Sequence, residues 1–479
     1  MSTTIAPAPT SRVRFGTARV DVTPPVGIYH RLWGAARHER SSGVHRPLYC
    51  DVMVFAPVDG SGRPIVRAQF DLCGLVHSQH EDLALALCET ADVPRDHVII
   101  TFSHTHSSGW FIPDRFNLPG GELIVPYLRG LQPKIKDVCR RALESVQEVN
   151  ITYATGHSNM AANRDYWDDA FGGHTCGYNP DQPAEDTVLV ARVTDLAGRL
   201  VATVVNYSCH PTSLAWENSL ISPDFVGGLR EVVEASTGVG CIFAQAPCGD
   251  QAPRDGYVGG TAVADKNGRQ LGYAALSALE SMGPPATDFV YEGPVISGAT
   301  LGVWRHVPFS PERLQQASRF AGGAYSVDVP LKEKPNPAAL KAEFDEWNAR
   351  QQEADARGDA KAARDCGARA ERAKRWLARV AEVPAGTTYR LDFTVHRLGD
   401  AFWVTSGGEP YSLVQTALRK RFPQFALVVS PLSGNFQAAY LLPRELYGQG
   451  LYQEEPSILG PGCLEKLIEA IAGRVAELA

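Results

Sequence analysis

An α/β fold, with a mixed β-sheet core, flanking helices and an inserted helical hairpin, is what this 479-residue sequence predicts. Three observations predict it. Apolar, β-branched runs of strand length alternate with longer stretches of helical period along most of the chain. Several of those runs empty into histidine, glycine or acidic residues, the layout by which α/β sheets present ligands beyond their strand ends. One block, Pro337 to Val380, replaces the alternation with a composition rich in Ala, Glu, Lys and Arg.

Taken in order, residues 1–13 read as a short disordered leader. A first strand follows over Arg14 to Asp21 and stops at Thr23-Pro-Pro25, where two prolines remove donors and force a turn. Residues 28–47 carry Gly, Arg and three histidines without a period and read as a loop. Leu48 to Pro57 and Ile65 to Leu72 form a hairpin through Asp59-Gly-Ser-Gly62, with Asp71 near its end. A helix over 78–92 precedes the strand His97 to Phe102, and a longer helix over 122–147 follows, with Pro126 and Pro133 near its start. Further strands are expected at 150–155, 187–194, 201–208 and 240–246, and a helix opens near Ser222 or Asp224 as its cap. Residues 337–382 read as two antiparallel helices turning near Arg357-Gly-Asp359. Strands then resume at 389–397, 402–405 and 425–429, and an amphipathic helix carrying Leu464, Leu467, Ile468, Ile471 and Val475 closes the chain.

Composition excludes several classes. The net charge of −7 and a pI near 6.0 leave no basic stripe, which argues against nucleic acid as the main partner. No window of about 18 apolar residues exists to span a bilayer, and the N-terminus lacks the layout of a secretion signal. Ten cysteines in so long a chain, without a CxxC pair, point to reduced thiols in the cytoplasm and away from a zinc knuckle.

The chemistry concentrates in Thr101-Phe-Ser-His-Thr-His-Ser-Ser108. His104 and His106 stand two apart, so in extended conformation they project from one face, among small hydroxyl residues that leave room for a ligand. Val201 to Tyr207 repeats the design and empties into Ser208-Cys-His210-Pro-Thr-Ser213. Two strands that each deliver histidine suit a metal or catalytic site; each stretch alone fits a satisfied structural histidine equally well. Gly249-Asp250 and Gly407-Gly-Glu409 likewise lie just beyond β-runs. A cysteine hydrolase using Cys209 or Cys248 is the rival, against the plainer reading of both as small buried residues.

The ordered set Val20-Asp-Val-Thr-Pro-Pro-Val-Gly27, Ser103-His-Thr-His-Ser107, Ala162-Asn-Arg164, Cys209-His-Pro-Thr212, Ser222-Pro-Asp224, Gly249-Asp250, Gly407-Gly-Glu409 and Asn435 through Tyr440 resembles the neutral/alkaline ceramidase family. The resemblance runs over 14–478. Each motif alone is weak; eight in the family's order are specific. It implies one zinc ion held by His104, His210, Glu409 and Tyr440, with His106 and Arg164 facing the substrate. Asp250, Gln251 and Asp71 are further candidates for substrate binding.

Departures from the family pattern shape the functional expectation. Where ceramidases carry a serine after their Gly-Asp pair, this chain reads Gly249-Asp-Gln-Ala-Pro-Arg254, with Ala252 at that place. The chain also stops where the family's immunoglobulin-like C-terminal domain would begin, so residues 14–479 are expected to form a single catalytic domain. The resemblance therefore implies a zinc-dependent amidohydrolase in which zinc-bound hydroxide attacks a C–N amide of a small or medium soluble substrate. A true ceramidase, a zinc esterase or phosphatase, and a non-catalytic binding protein on the same scaffold are the alternatives. The helical hairpin is the candidate surface for self-association.

Overall fold

The computed structural model describes residues 4–380, 383–434 and 438–479; Asn435 and the last two residues of the expected hairpin span lie outside them. Its centre is an eight-stranded mixed sheet. In chain order the strands are β1 (Thr10–Asp21), β2 (Tyr49–Ala56), β3 (Ile65–Phe70), β4 (Val98–Phe102), β5 (Gln147–His157), β6 (Thr187–Asp195), β7 (Leu200–Tyr207) and β8 (Cys241–Gln245). They lie in the order 8-7-6-5-1-2-3-4. Only the outer pairs, β7 with β8 and β3 with β4, run parallel; the middle is antiparallel. The two parallel pairs carry the two histidine stretches at their ends.

Apolar alternation explains the layers. One face of β2 to β4 (Val52, Val54, Val66, Phe70, Ile100, Phe102) packs on helices α1 (His77–Ala91) and α2 (Ile124–Glu144). At the other end, Val205, Tyr207 and Phe243 pack on α3 (Phe225–Thr237) and α4 (Thr261–Glu280). The opposite face (Val13, Phe15, Phe55, Ile151, Leu189, Val204) meets Leu398, Ala401, Trp403 and Val428 of a second sheet. Two sheets bury a common core between them, with helices outside both.

After α4 the chain extends a ribbon, β9 (Thr287–Ser297) and β10 (Ala299–Pro308), with Val295, Ile296 and Leu301 exposed. The second sheet follows: β11 (Phe320–Pro330), β12 (Thr388–Leu398), β13 (Ala401–Ser406) and β14 (Ala426–Val429), in that spatial order, with only β13 and β14 parallel. Between β11 and β12 the chain inserts α5 (Pro337–Ala356) and α6 (Ala360–Val380). The helices α7 (Leu413–Arg421) and α8 (Cys463–Leu478) cover the outer face.

Most expected elements are present within a few residues. The leader is a correction: β1 begins at Thr10, and Ile5–Ala6 already pairs with Val290 and Phe289 of the ribbon. Among the elements not expected are the helices α4 and α7, the ribbon and β11. Gly and Ala punctuate the ribbon and β11, as in Gly322-Gly-Ala324, and dilute their period-2 signal. Asp224 is the cap of α3, its Oδ1 accepting from the Phe225 N–H at 2.7 Å. Among the described residues no helix is long and apolar enough to cross a membrane, and all ten cysteines are free thiols.

Candidate metal centre

His104 follows β4 but does not continue it. Its φ is +69°, a left-handed conformation that costs a non-glycine residue free energy. The expectation that His104 and His106 share one face of an extended strand is thus corrected: a turn brings them together. Backbone bonds hold that turn, with the His104 N–H donating to the Leu72 carbonyl (3.0 Å) and the Ser222 N–H to the Ser107 carbonyl (2.9 Å). The two imidazoles end with Nε2 atoms 3.4 Å apart and rings nearly perpendicular.

His210 arrives from the end of β7, and its N–H donates to the Gln251 carbonyl at 3.1 Å. Glu409 arrives from the other sheet, four residues along from Thr405 of β13. Its two-residue parallel pairing with Tyr440–Leu441 places Glu409 opposite Tyr440. The ligand residues therefore converge at the rim between two sheets.

His104 Nε2 lies 3.3 Å and His210 Nε2 3.0 Å from Glu409 Oε2. Tyr440 Oη lies 3.4 Å from His210 Nε2. The ligand atoms of His104, His210 and Glu409 all fall within 4.8 Å of one another, and all three residues are buried. A second grouping, Cys73 with His104 and His106, shares His104. Each ligand imidazole is oriented from behind. Nδ1 of His104 sits 2.6 Å from the Cys73 carbonyl and Nδ1 of His210 sits 2.7 Å from the Cys248 carbonyl. A carbonyl only accepts, so Nδ1 carries the hydrogen and Nε2 of the neutral ring presents a lone pair. Two lone pairs then aim at a carboxylate oxygen.

Such a donor set fits a cation. Burial alone would raise the Glu409 carboxyl, but the His104 and His210 imidazoles override it and hold the group well below its ordinary range. Burial would lower His104, yet the Cys73 thiol and Glu409 raise it well above its usual value, while burial and then Arg164 lower His210 to about 4. The cluster draws in one positive charge at the point the three side chains share. Two imidazoles, a carboxylate and a phenol match zinc's preference for nitrogen and oxygen donors with a position left for substrate.

The neighbours of this cluster divide the remaining candidates. Burial, then His104 and His210, push His106 well below its usual value, so it is neutral. Its ring packs against Trp33 at 5.3 Å. Arg164 is 3% exposed, donates from Nε and Nη2 to the Gly249 carbonyl (3.1 and 2.7 Å), and lies over the Tyr440 ring at 5.4 Å. Gly249 is required where it stands: a Cβ there would lie 2.7 Å from the Glu409 carbonyl.

Three expected substrate contacts are corrected. Asp71 is a buried structural carboxylate, paired with Arg230 and accepting from the Tyr49 N–H at 2.9 Å. Asp250 accepts from the backbone N–H (2.7 Å) and hydroxyl (2.6 Å) of Ser412, three residues beyond Glu409, and burial pushes its carboxyl up to about 6. Gln251 is fully buried, its side chain between Glu185, Ser208 and Ser412. Asp250 and Gln251 spend their side chains on bracing the segment that carries Glu409. The strand-end signal marked the right segments, but backbone alternation turned their side chains toward the scaffold.

Sequence reading missed the aromatic wall: Trp33, with Trp216 at 6.4 Å and Tyr257 at 5.9 Å, beside His106. Its only signal was a tryptophan in the unpatterned 28–47 loop. Nor do the cysteine candidates suit nucleophilic chemistry. Cys209 and Cys248 are buried, and burial raises both thiols well above their ordinary value.

Fold and site together define a two-sheet α/β protein with a buried His-His-Glu-Tyr cluster at the rim between its sheets. No family model matches the chain. A curated relative, the neutral ceramidase of Pseudomonas aeruginosa, is 23% identical over 313 residues, which cover 62% of this chain and 46% of the relative. The chain thus spans about half the length of the curated relative it matches. The crystal structure of neutral ceramidase from Pseudomonas aeruginosa superposes with a TM-score of 0.63 at 18% identity, over 99% of this chain and 75% of that one. A ceramidase complexed with C2 gives a TM-score of 0.65 at 17% identity, over 98% and 75%. The chain is thus similar in sequence to a neutral ceramidase and shares the fold of the solved ceramidase structures.

Proposed function

We propose that this protein is a zinc-dependent amidohydrolase that cleaves a C–N amide bond. One observation carries the reading: two buried imidazole Nε2 atoms and an ionised carboxylate meet at a single point that holds one positive charge, with their other nitrogens already committed to carbonyls. His104, His210, Glu409 and Tyr440 would hold the metal. Bound there, zinc supplies a Lewis acid and lowers the pKa of water toward about 7.

The remaining work belongs to the chain. Arg164, fixed by the Gly249 carbonyl, places a permanent positive charge beside Tyr440, where it stabilises negative charge developing on a substrate carbonyl oxygen. His106, neutral and held between His104 and Trp33, can donate to that oxygen or take a proton from the attacking group. Burial of Arg164 and the ligand residues, with His106 half-buried beside them, limits bulk water and strengthens each interaction. The curated relative's name assigns it ceramide, and a true ceramidase remains the second reading. Ala252, buried in the short strand Gln251–Pro253 where the family's serine would stand, favours a smaller soluble amide over long-chain ceramide.

The test is elemental analysis of the purified protein, followed by a panel of amides, esters, phosphate esters and ceramide with and without chelator. Chelator-sensitive turnover confined to amides supports the reading. Metal-free protein with full amide turnover refutes it, and robust release of sphingosine from ceramide shifts it to the second reading.

A further inference from the structure

The layer between the two sheets contains an arginine with no carboxylate partner among the described residues. Arg67, on β3, is 3% exposed, and its Nε and Nη1 have no hydrogen-bond partner among the described residues. Its guanidinium lies over the Trp403 ring of β13 at 5.3 Å. Other buried arginines are partnered: Arg115 pairs with Glu371, Arg230 with Asp71, and Arg164 donates to the Gly249 carbonyl. Arg67 has no carboxylate among the described residues, and burial alone lowers its pKa, to about 10. A guanidinium stays charged at any working pH, and an isolated buried charge is strongly disfavoured.

The groups around it are donors. Gln69, two residues along β3, receives the Thr101 hydroxyl on Oε1 at 2.6 Å, which fixes its amide and leaves Nε2 without a partner. His396 of β12 is 4% exposed and its Nδ1 has no partner. Burial and then Arg67 push this imidazole down to about 3, so it is neutral and able to donate from one nitrogen. Water would satisfy these hydrogen bonds but not the charge.

We propose that a small monovalent anion of chloride size binds between the two sheets, held by the guanidinium of Arg67 with the Gln69 amide and the His396 ring. The anion ties β3 of the large sheet to β12 of the small one. It thereby supports the docking that brings His104 and Glu409 together, since Thr101 lies three residues before His104 and β12 pairs directly with β13. Its role is in stability and is independent of the reaction the metal centre performs.

The experiment has two arms. In the first, thermal unfolding of the full chain is followed while chloride replaces gluconate at constant ionic strength, for wild type and Arg67→Met. The wild-type midpoint should rise by about 2 °C or more with chloride, as for any ligand that binds only the native state, and the variant should not respond. In the second, wild-type crystals are soaked in bromide, which should give an anomalous peak in contact with Arg67. That arm decides the matter if the variant does not fold. A midpoint indifferent to chloride, with ordered water and no bromide beside Arg67, would overturn the proposal.

Discussion

Glu409 and Tyr440 stand opposite each other in a two-residue parallel ladder, 31 positions apart in sequence and side by side in space. That pairing, formed outside both large sheets, brings a carboxylate and a phenol to the two histidines at once. It also locates the most informative experiments.

Metal content is the first. Purified protein should carry about one zinc per chain, and His104→Ala or His210→Ala should lose metal and activity together. Full zinc and full turnover in either variant would show that the ligands lie elsewhere. Tyr440→Phe should retain most of the metal, because the two imidazoles and Glu409 already supply three donors.

Arg164→Ala tests the charge opposite the substrate. Removing one donor of this kind typically costs on the order of a hundredfold in kcat. Most of the zinc should be retained, since of the four proposed ligands Arg164 touches Tyr440, while His104, His210 and Glu409 still supply three donors. A normal kcat would remove Arg164 from the mechanism.

The helical hairpin should act on the site through contact, not chemistry. Glu371 of α6 forms a buried ion pair with Arg115 and also accepts from Arg375, whose other end reaches the Leu32 carbonyl beside Trp33. Glu371→Ala leaves the buried Arg115 with only the Asp114 carboxylate at 3.5 Å and should destabilise the fold, by up to about 3–5 kcal/mol. Replacing α5 and α6 by a short Gly-Ser link, combined with Arg115→Met, should change KM or substrate range far more than zinc content. Unchanged kinetics on every substrate would make the hairpin an inert insertion.

Acid should destabilise the protein in a defined window. His30 is buried against His38 and the Ser107 carbonyl, and burial followed by the His38 charge lowers it from 6.5 to about 4. Between those values the unfolded chain takes up a proton that the folded chain refuses. Stability therefore falls as pH drops from 6.5 towards 4, by up to about 3 kcal/mol for this residue. Denaturant midpoints across that range should show the slope, and His30→Gln should flatten it. An unchanged slope would assign the loss to other groups.

Asp250 contributes in the opposite sense. Its carboxyl is raised from 3.8 to about 6, so the folded state holds the proton more tightly and this residue's contribution to stability falls as pH rises from 3.8 to 6. Asp250→Asn, which removes that titration, should steepen the net acid loss between pH 6 and 4. A shallower loss would show that Asp250 is ionised throughout that range.

How much of this was legible in the chain depends on range. The strands and helices that carry a clean period, such as Val98–Phe102, Leu200–Tyr207 and the pair α5 and α6, were readable because period and turn chemistry are local. The ribbon was not, because its residues are largely exposed and pack against little that would impose a pattern, and β11 was not, because its first half is mostly small residues. At the site, the ordered motifs named His104, His210, Glu409 and Tyr440 correctly as neighbours, through resemblance and not through spacing. Asp71, Asp250 and Gln251 were misread because a polar residue past a strand end looks the same whether it faces a substrate or braces the turn behind it.

By itself, then, the sequence determined the α/β class, the inserted helical hairpin and the histidine-bearing strand ends, since each follows from local period and composition. Only the tertiary structure decided that two sheets, not one, share the core, and that the cluster forms at their rim. It also decided that His104 reaches its place through a left-handed turn and that Arg67 is sealed between the sheets without a carboxylate. Those outcomes depend on which distant faces bury one another, and burial is a property of the packed chain that no local stretch encodes.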